Sequence, residues 1–359
     1  MVQGEPGGGN TMVCFILPAH LLIELAEAGN VDIRDTIPTL LASAALRTQR
    51  DTLTEAVQFL DLNAGQLRGP ASEFKAVHDV QGGDERNLPG VMRRKEGDGA
   101  NSDPAVNDAF DNADRTYDFY RDVLGRHSVD GNGLRLVSSV HFGRGFDNAF
   151  WDGTQMVYGD GSGKVFQPGA LARDVSVVGH EITHGVVQYT AGLRYRQQSG
   201  ALNESWADVF GSLVKQHALG QSADQADWLI GAGILGTQLQ GVALRSMKDP
   251  GKAHQLDRQP AHMRSYVDLP DDGNPRNDNG GVHINSGIPN KAFHLTATRL
   301  GGNAWERAGK VWYDALATKL RVNSDFAEAA AATVASAQAL FGADVANTVR
   351  SAWNDVGVS

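Results

Sequence analysis

The sequence contains very little cysteine, few basic residues and no long hydrophobic run. Cys14 is the single cysteine among 359 residues, so no internal disulfide can form. No apolar stretch reaches the roughly 18 to 20 residues that a membrane-spanning helix needs. Lys and Arg number 32 against 42 acidic residues, and the net charge of −10 would repel nucleic acid and anionic membranes. We therefore expect a soluble monomer whose partner is neither nucleic acid nor a membrane.

The apolar stretch over residues 12–25 lacks the features of a signal peptide. No Lys or Arg precedes it, and it contains Pro18, His20 and Glu24, which interrupt the apolar region that such a peptide requires. We therefore expect either a cytoplasmic location or export by a route that needs no signal peptide. The Gly-rich residues 1–11 are predicted to be disordered.

Three zones follow along the chain. Residues 12–62 have apolar residues at helical spacing and predict a small helical unit, and residues 63–73 contain the Gly, Pro and Ser of a linker. Residues 74–190 combine an amphipathic helix with strand-like stretches, whereas residues 191–359 are mainly helical. The sequence therefore predicts an α+β fold with two large domains after the small helical unit.

The stretch VVGHEITHGVV places three ionisable side chains in an otherwise apolar helix. On a helix, His180 and His184 project from the same face one turn apart, which is the arrangement of a metal-chelating pair. Glu181 is rotated by about 100° around the helix axis. It cannot easily bind the same metal, but it can reach a water that the metal binds. The pattern therefore predicts a zinc site with a general base beside it.

A catalytic zinc ion needs three protein ligands and one open position for water. The downstream stretch NESWAD supplies two carboxylates at i, i+4 spacing on a predicted helix. We expect Glu204 to be the third ligand and Asp208 to accept the free ring N–H of a zinc-bound histidine. Asn203 is predicted to cap the start of this helix.

These motifs, in this order, resemble those of the thermolysin-type zinc metallopeptidases, the gluzincins. The similarity rests on VVGHEITHGVV, AGLRYRQQSGALNESWADVFG, NAFWDGTQMVYGDG, LRSMKDP and DNGGVHINSGIPNKAF. It implies a thermolysin-like two-domain catalytic unit that hydrolyses peptide bonds as an endopeptidase. It also implies zinc on His180, His184 and Glu204, with Glu181 as the base that activates the zinc-bound water.

The resemblance implies further roles around the metal and along the substrate. Tyr195 and His283 would stabilise the oxyanion that forms on the attacked carbonyl, and Asp278 would orient His283. The positions that hold the substrate backbone and grip its carbonyl correspond to Asn148, Ala149 and Arg245. An apolar pocket beyond the scissile bond, which predicts cleavage before large hydrophobic residues, corresponds to Val177, Ile230 and Leu244.

The sequence departs from thermolysin itself where that enzyme holds paired calcium ions with carboxylates beside its cleft. Calcium prefers six to eight oxygen ligands, several of them anionic. We therefore predict a single catalytic zinc ion and no paired calcium site. The residues that replace the carboxylates are Ser176, Lys215, Leu229, Ala232 and Gly233.

Residues 12–62 resemble the short propeptides of protealysin-like enzymes through Cys14, Pro18 and Leu21, although Ala19 replaces a second proline of that motif. The resemblance implies a zymogen that acts outside the cell and has its own propeptide as a partner, besides protein or peptide substrates. Since a thiolate is a strong zinc ligand, we predict that Cys14 is the inhibitory contact and that Pro18 stiffens the approach to the cleft. The linker is expected to carry the maturation site.

Two other functions are compatible with these residues. A metal-dependent esterase or amidase for small substrates would use the same zinc chemistry, and a digest of casein compared with ester substrates would distinguish it. A non-catalytic peptide-binding protein on a peptidase scaffold would be expected to lose Glu181 or a metal ligand, and none is lost.

Overall fold

The computed structural model describes residues 13–29, 31–32, 36–44 and 74–359. The predicted disordered N-terminus and the predicted linker lie outside the described residues, as does much of the predicted helical unit. In the described ranges, no helix is both long and apolar enough to cross a membrane.

One mixed sheet carries most of the strands, in the order β1-β5-β6-β4-β2-β3. β2 runs parallel to β4 and β4 to β6, whereas β1 pairs antiparallel with β5, β5 with β6, and β3 with β2. A second sheet pairs β7 with β8. The strands are β1 (Cys14–Phe15), β2 (Lys75–Asp79), β3 (Val91–Lys95), β4 (Leu136–Val140), β5 (Ala149–Trp151), β6 (Met156–Tyr158), β7 (Leu229–Ile230) and β8 (Arg245–Ser246).

Helices make up most of the remaining described structure and dominate the C-terminal half. Together with the mixed sheet they confirm the predicted α+β class; the β7–β8 pair in the second half was not predicted. The helices are α1 (Ala19–Glu27), α2 (36–44), α3 (Pro104–Leu124), α4 (Ala170–Arg173), α5 (Val175–Gln188), α6 (Gln197–Leu219), α7 (Asp278–Asn285), α8 (Gly287–Leu300), α9 (Ala308–Thr318), α10 (Phe326–Phe341) and α11 (Ala343–Asp355).

The N-terminal segment forms part of the main sheet. β1 adds to the free edge of β5, with Cys14 opposite Trp151 and Phe15 opposite Phe150. The rings of Phe15 and Phe150 lie 5.2 Å apart, within a small apolar cluster on that side of the sheet. Pro18 then precedes α1. The proline ring fixes the φ angle of Pro18 near −70°, which suits the start of a helix. The predicted helical unit therefore begins with a strand that the sequence analysis did not anticipate.

α5 and α6 cross at very short range. α5 begins at Val175, after the N-cap residue Asp174, whose side chain accepts hydrogen bonds from the backbone N–H groups of Ser176 and Val177. At the crossing, a Cβ atom added to Gly211 would lie 2.4 Å from the Ser176 carbonyl oxygen, and one added to Gly179 would lie 3.1 Å from the Gly211 Cα. Only glycines permit this approach, which brings the side chains of the two helices together at one point.

Candidate active site

Three predicted ligands converge where α5 meets α6. His180 and His184 on α5 and Glu204 on α6 each offer one ligand atom, and these atoms all lie within 4.8 Å of one another. The Nε2 atoms of the two histidines are 3.0 Å apart, and each is 3.5 Å from an oxygen of Glu204. The three side chains are almost completely buried. They are thus able to bind a metal ion together.

The hydrogen bonds behind the histidines indicate that a cation fits between them. Nδ1 of His180 lies 2.8 Å from a carboxylate oxygen of Asp208, and Nδ1 of His184 lies 2.8 Å from the amide oxygen of Asn203. Both acceptors require Nδ1 to carry the proton, so the two Nε2 atoms face each other with lone pairs. Burial lowers the pKa of His184 to about 4, which keeps it neutral. Oε2 of Glu204 is also buried without a hydrogen-bond partner in the described structure.

Asp208 connects the predicted ligand His180 with the predicted substrate-binding Arg245. The guanidinium of Arg245 donates to both oxygens of Asp208 over 2.8 to 3.1 Å. The amide of Asn290 donates to the second oxygen over 2.9 Å. Burial raises the pKa of Asp208, but Arg245 and His180 outweigh it and hold the pKa far below its usual value. Asp208 is therefore a buried anion that fixes the two side chains relative to each other.

Glu181 lies beside the ligand cluster and is held by one backbone group. Its Oε2 accepts a hydrogen bond of 2.9 Å from the N–H of Trp151 on β5, while its Oε1 is buried without a partner in the described structure. Burial and the nearby carboxylate of Glu204 raise the pKa of Glu181 well above its usual value. A carboxylate with a raised pKa is suited to accept and return a proton.

Tyr195, His283 and Asp278 form a chain that ends at the ligand cluster. The hydroxyl of Tyr195 donates to Glu204 and lies 3.1 Å from Nε2 of His283. Nδ1 of His283 is 2.6 Å from Asp278, whose other oxygen accepts from the His283 N–H at 2.8 Å. Although burial lowers the pKa of His283, the carboxylates of Glu204 and Asp278 raise it to about 9. The imidazole is therefore a hydrogen-bond donor at neutral pH.

The segment from Phe15 to Leu17 crosses this cluster. Its three carbonyl groups accept hydrogen bonds from His283 Nε2 at 2.8 Å, from Arg245 at 2.9 Å and from the Asn148 amide at 2.9 Å. The N–H of Ile16 donates to the carbonyl of Ala149 at 3.0 Å, and the N–H of Leu17 to the side chain of Asn148 at 3.0 Å. All of the predicted substrate-backbone contacts are therefore occupied by main-chain groups of the N-terminal segment.

The predicted apolar pocket residues lie next to this segment. Val177, Ile230 and Leu244 are each at most 1% exposed. Ile230 is opposite Arg245 in the β7–β8 pair, and the N–H of Leu244 donates to the Ile230 carbonyl at 3.0 Å. Ile16 is fully buried and belongs to the same hydrophobic core as these three residues. Arg245, which donates to the Ile16 carbonyl, links the segment to the strand pair that contains Ile230.

Cys14 is buried in an apolar cluster with Tyr195 and Val282. Within the described ranges, the group of converging ligand atoms comprises the two histidines and Glu204, without Cys14. The role of Cys14 as the inhibitory contact therefore stays a prediction. Pro18 precedes α1 with an extended backbone, ψ 145°.

Lys215 is one of the residues that replace the expected calcium-binding carboxylates, and its ammonium has two oxygen partners. Nζ of Lys215 donates to the carboxylate of Asp227 at 2.7 Å and to the carbonyl of Leu229 at 3.3 Å. Ser176 accepts at 3.0 Å from the N–H of Gly231, the residue after β7. The ammonium thus interacts with a carboxylate and a carbonyl oxygen, the kind of group that would otherwise bind a cation.

Several groups of the site were not identified from the sequence. Asn203 was expected to cap α6, but α6 begins at Gln197, and Asn203 lies within the helix with its amide between His184 and the Leu193 carbonyl. The prediction was wrong because the sequence does not show that the Asn203 amide bonds to His184 and to the Leu193 carbonyl. Without those partners, a polar residue before an amphipathic stretch resembles an N-cap. Asn290 and the N–H of Trp151 carry no sequence signal of their own. In the structure, the Asn290 amide lies 2.9 Å from Asp208, and the Trp151 backbone nitrogen lies 2.9 Å from Glu181.

Comparison with known proteins gives consistent matches over both halves. The family described as "Thermolysin metallopeptidase, catalytic domain" matches residues 61–188, and "Thermolysin metallopeptidase, alpha-helical domain" matches residues 191–358. The "Extracellular metalloprotease" of Pectobacterium carotovorum subsp. carotovorum is 44% identical over 353 residues, which is 96% of each chain. "Protease PrtS" of Photorhabdus sp. (strain Az29) is 47% identical over 290 residues, 79% of this chain and 76% of that protein.

A solved structure adds the N-terminal segment to the comparison. The precursor of protealysin, a metalloproteinase from Serratia proteamaculans, matches with a TM-score of 0.83 and 42% identity, over 96% of this chain and 100% of that one. Both the fold and the precursor organisation therefore correspond to the predicted ones. The chain belongs to the thermolysin family of metallopeptidases, is a metalloendopeptidase, and resembles a precursor that carries a short propeptide.

Proposed function

We propose that the protein is the zymogen of a zinc endopeptidase that cleaves extended polypeptides before hydrophobic residues. One observation carries the proposal: the N-terminal segment lies along β5 and across the converging ligands with its backbone bound by Asn148, Ala149, Arg245 and His283. Small esters and amides lack such a backbone. The arrangement therefore favours a peptidase over the esterase alternative.

His180, His184 and Glu204 would hold the metal. A zinc ion bound there supplies Lewis acidity, and it lowers the pKa of water to about 7. Asp208 and Asn203 keep the two imidazoles in the required tautomer through their Nδ1–H groups. The ligand set of two histidines and one carboxylate with an open position is that of a catalytic rather than a structural zinc site.

Glu181 is the proposed general base. It lies outside the ligand set and keeps one oxygen free of hydrogen-bond partners in the described structure, while Trp151 holds the other. That free oxygen would take a proton from the attacking water and return it to the leaving nitrogen. Burial and the Glu204 carboxylate raise the pKa of this carboxyl well above its usual value, which favours uptake of the proton.

His283 and Tyr195 are the proposed donors to the developing oxyanion. Nε2 of His283 already donates to the Phe15 carbonyl, so the attacked carbonyl of a substrate would take that place. Removing one such donor typically costs about 10² to 10³ in turnover. With Phe15 at this position, Ile16 occupies the site of the residue after the scissile bond. Its burial in the core that contains Val177, Ile230 and Leu244 supports a preference for hydrophobic residues there.

The proposed partners and location follow from the same arrangement and from the relatives. The propeptide would inhibit by filling the cleft and would leave after cleavage in the linker, residues 63–73, where the maturation site is proposed. A relative named as an extracellular metalloprotease, matched over 96% of its length, supports action outside the cell. The proposed cofactor is a single zinc ion.

The test compares the parent protein with Glu181→Gln and His184→Ala, loaded with zinc and allowed to process. The Gln variant should keep its metal and lose about 10² to 10⁴ in casein hydrolysis, whereas the Ala variant should also lose the metal. Glu306→Gln, at an exposed carboxylate far from the site along the chain, is the matched control. Full activity of Glu181→Gln, or ester hydrolysis without casein hydrolysis, would contradict the proposal. Mass spectrometry of the casein fragments gives the residue after each cleaved bond.

A further inference from the structure

Helix α1 continues directly from the segment that lies in the cleft. Counted from Ile16 as the first residue after the scissile position, Pro18 is the third residue, and α1 extends from the fourth to the twelfth. This count rests on the proposed function, which places the Phe15–Ile16 bond at the reacting groups. The surface under α1 is therefore the continuation of the cleft on the side of the leaving amine.

The inner face of α1 is apolar and closely packed. His20, Leu21, Leu22 and Leu25 are at most 8% exposed. The helix and the preceding Pro18 cover a pocket. Its far side belongs to the catalytic part of the chain, residues 74–359, and includes Leu244, Leu256, Gln259, His283 and Ile284. The enzyme thus provides an apolar bed for a helix, in contact with Arg245 and His283 at one end.

Two acidic side chains on the rim of α1 meet two arginines of the catalytic part. The guanidinium of Arg258 lies 3.1 Å from the Glu24 carboxylate, and Arg276 donates two hydrogen bonds, of 2.6 and 3.1 Å, to Glu27. Glu24 and Glu27 are three residues apart, so they share one side of the helix. Within the part of the chain that the structure describes, Arg258 and Arg276 form ion pairs with side chains of α1 and with no other residue.

Both arginines are held by backbone that is tied to the site. Asp257, next to Arg258, accepts hydrogen bonds from the N–H groups of Gly251, Ala253 and Gln259, and the Gln259 amide donates to the His283 carbonyl at 2.7 Å. Arg276 lies in a 3-10 turn, capped by Asn274, that ends just before Asp278. The backbone positions from which the two arginines project are therefore fixed by contacts that do not involve α1.

The surroundings make such a cationic pair selective. The chain carries a net charge of −10, and the segment near Arg276 also contains Asp268, Asp271 and Asp272. The overall negative charge therefore disfavours an acidic partner, and contact of its carboxylates with the two arginines offsets this repulsion.

We propose that the surface under α1 is an exosite of the processed enzyme. It would bind protein substrates in which the cleft-bound residues are followed by a short helix with acidic side chains at the ninth and twelfth positions after the scissile bond. Once the propeptide has left, the apolar bed and the two arginines are open to another chain. Because the exosite continues the cleft, one continuous segment can fill both. Exposed ion pairs are individually weak, so each should change binding by about two- to five-fold.

The first experiment measures binding without turnover. The full chain, carrying Glu181→Gln and a recognition site for a sequence-specific protease inserted within residues 45–73, is folded, cut and freed of its propeptide. A fluorescent peptide of residues 13–28 is titrated against it, beside the same peptide with Glu24→Gln and Glu27→Gln. We expect the acidic peptide to bind about five- to twenty-fold more tightly. The preference should vanish for the Arg258→Gln/Arg276→Gln protein and in 0.5 M salt.

A second measurement uses the bound propeptide itself. After the cut, the rate at which the propeptide leaves is followed by size exclusion for the parent and for the double arginine variant. We expect release to be about five- to twenty-fold faster from the variant at low salt, and equal for both at high salt. Lys252→Gln, at a nearby exposed basic residue outside the ion pairs of α1, is the control and should release like the parent. Equal rates for parent and double variant would overturn the proposal.

The exosite and the proposed function fail in different ways. A peptide of residues 13–18, which fills the cleft alone, should bind equally to the protein with and without the arginines. A preference for acidic peptides that persists in the double variant overturns the exosite. Loss of casein hydrolysis in the zinc-loaded protein with Glu181 intact, while the arginine-dependent preference remains, overturns the proposed function and leaves the exosite as a binding site.

Discussion

The carbonyl oxygen of Phe15 accepts a hydrogen bond of 2.8 Å from Nε2 of His283. The same imidazole is the proposed donor to the attacked carbonyl of a substrate, so the N-terminal segment and a substrate compete for one group. If the propeptide inhibits as proposed, its backbone position alone blocks this group, and the role of the Cys14 side chain stays a prediction.

We expect Cys14→Ala to remain largely inhibited before processing. The main-chain contacts of Phe15, Ile16 and Leu17 do not involve the sulfur and would keep the segment in the cleft. Early peptidase activity of zinc-loaded full-length protein is the measurement, with Ile16→Pro as the comparison, since proline removes the N–H that donates to Ala149. High early activity of Cys14→Ala would instead identify the thiol as the inhibitory contact.

We expect Asp208→Asn to lower zinc affinity by about 10- to 100-fold, as loss of a partner behind a metal ligand commonly does. The amide can still accept from His180, but its NH₂ group would face the donors of Arg245. Competition with a chelator of known affinity measures the effect, and the Michaelis constant should also rise because Arg245 shifts. Glu306→Gln serves as the control here too. An unchanged zinc affinity would show that Asp208 only supports packing.

Calcium should have little effect on stability. The ammonium of Lys215 between Asp227 and Leu229 supplies a positive charge at one of the positions where the family resemblance implies a calcium ligand, and a cation there would be repelled. We predict that the melting temperature is the same with excess calcium and with a calcium-selective chelator. Lys215→Met should be less stable than the parent, because it removes the ammonium that pairs with the Asp227 carboxylate. A large calcium-dependent change in the parent's melting temperature would contradict the prediction.

His141 predicts a loss of stability at alkaline pH. Its ring bridges Asp160 at 2.6 Å and Asp103 at 2.8 Å, and the hydrogen bond to Asp160 does most to raise the His141 pKa from 6.5 to about 9. Because the folded pKa is the higher one, the stabilisation is fully present below about pH 6.5 and is lost as pH rises through 9. Denaturant titration at pH 6 and pH 10 should show that parent and His141→Gln differ more at pH 6. An equal difference at both pH values would contradict it.

The sequence predicted the metal-binding part of the site well because local spacing determines it. Two histidines four residues apart share a helix face whatever surrounds them, and His180 and His184 meet as that spacing requires. Glu204 was found because a catalytic zinc site needs a third protein ligand, and the NESWAD stretch offers a carboxylate on a helix downstream of the two histidines. The class of fold followed from hydrophobic periodicity in the same way.

Contacts between distant parts of the chain could not be predicted. β1 pairs with β5 across more than 130 residues, and two residues of strand give no periodicity to recognise. The link from Asn290 to Asp208 and that from Trp151 to Glu181 depend on how the elements pack. The role of Asn203 was misread for the same reason, since its partner His184 lies on another helix.

The place of β1 in the sheet also determines which proteins can be attacked. Contacts at this edge involve main-chain N–H and C=O groups, so a target must give up its own backbone hydrogen bonds over several consecutive residues before it can bind. A stably folded target exposes such a stretch only when it opens locally, and the free energy of that opening then limits proteolysis. For this peptidase, the local stability of a target should matter at least as much as its sequence.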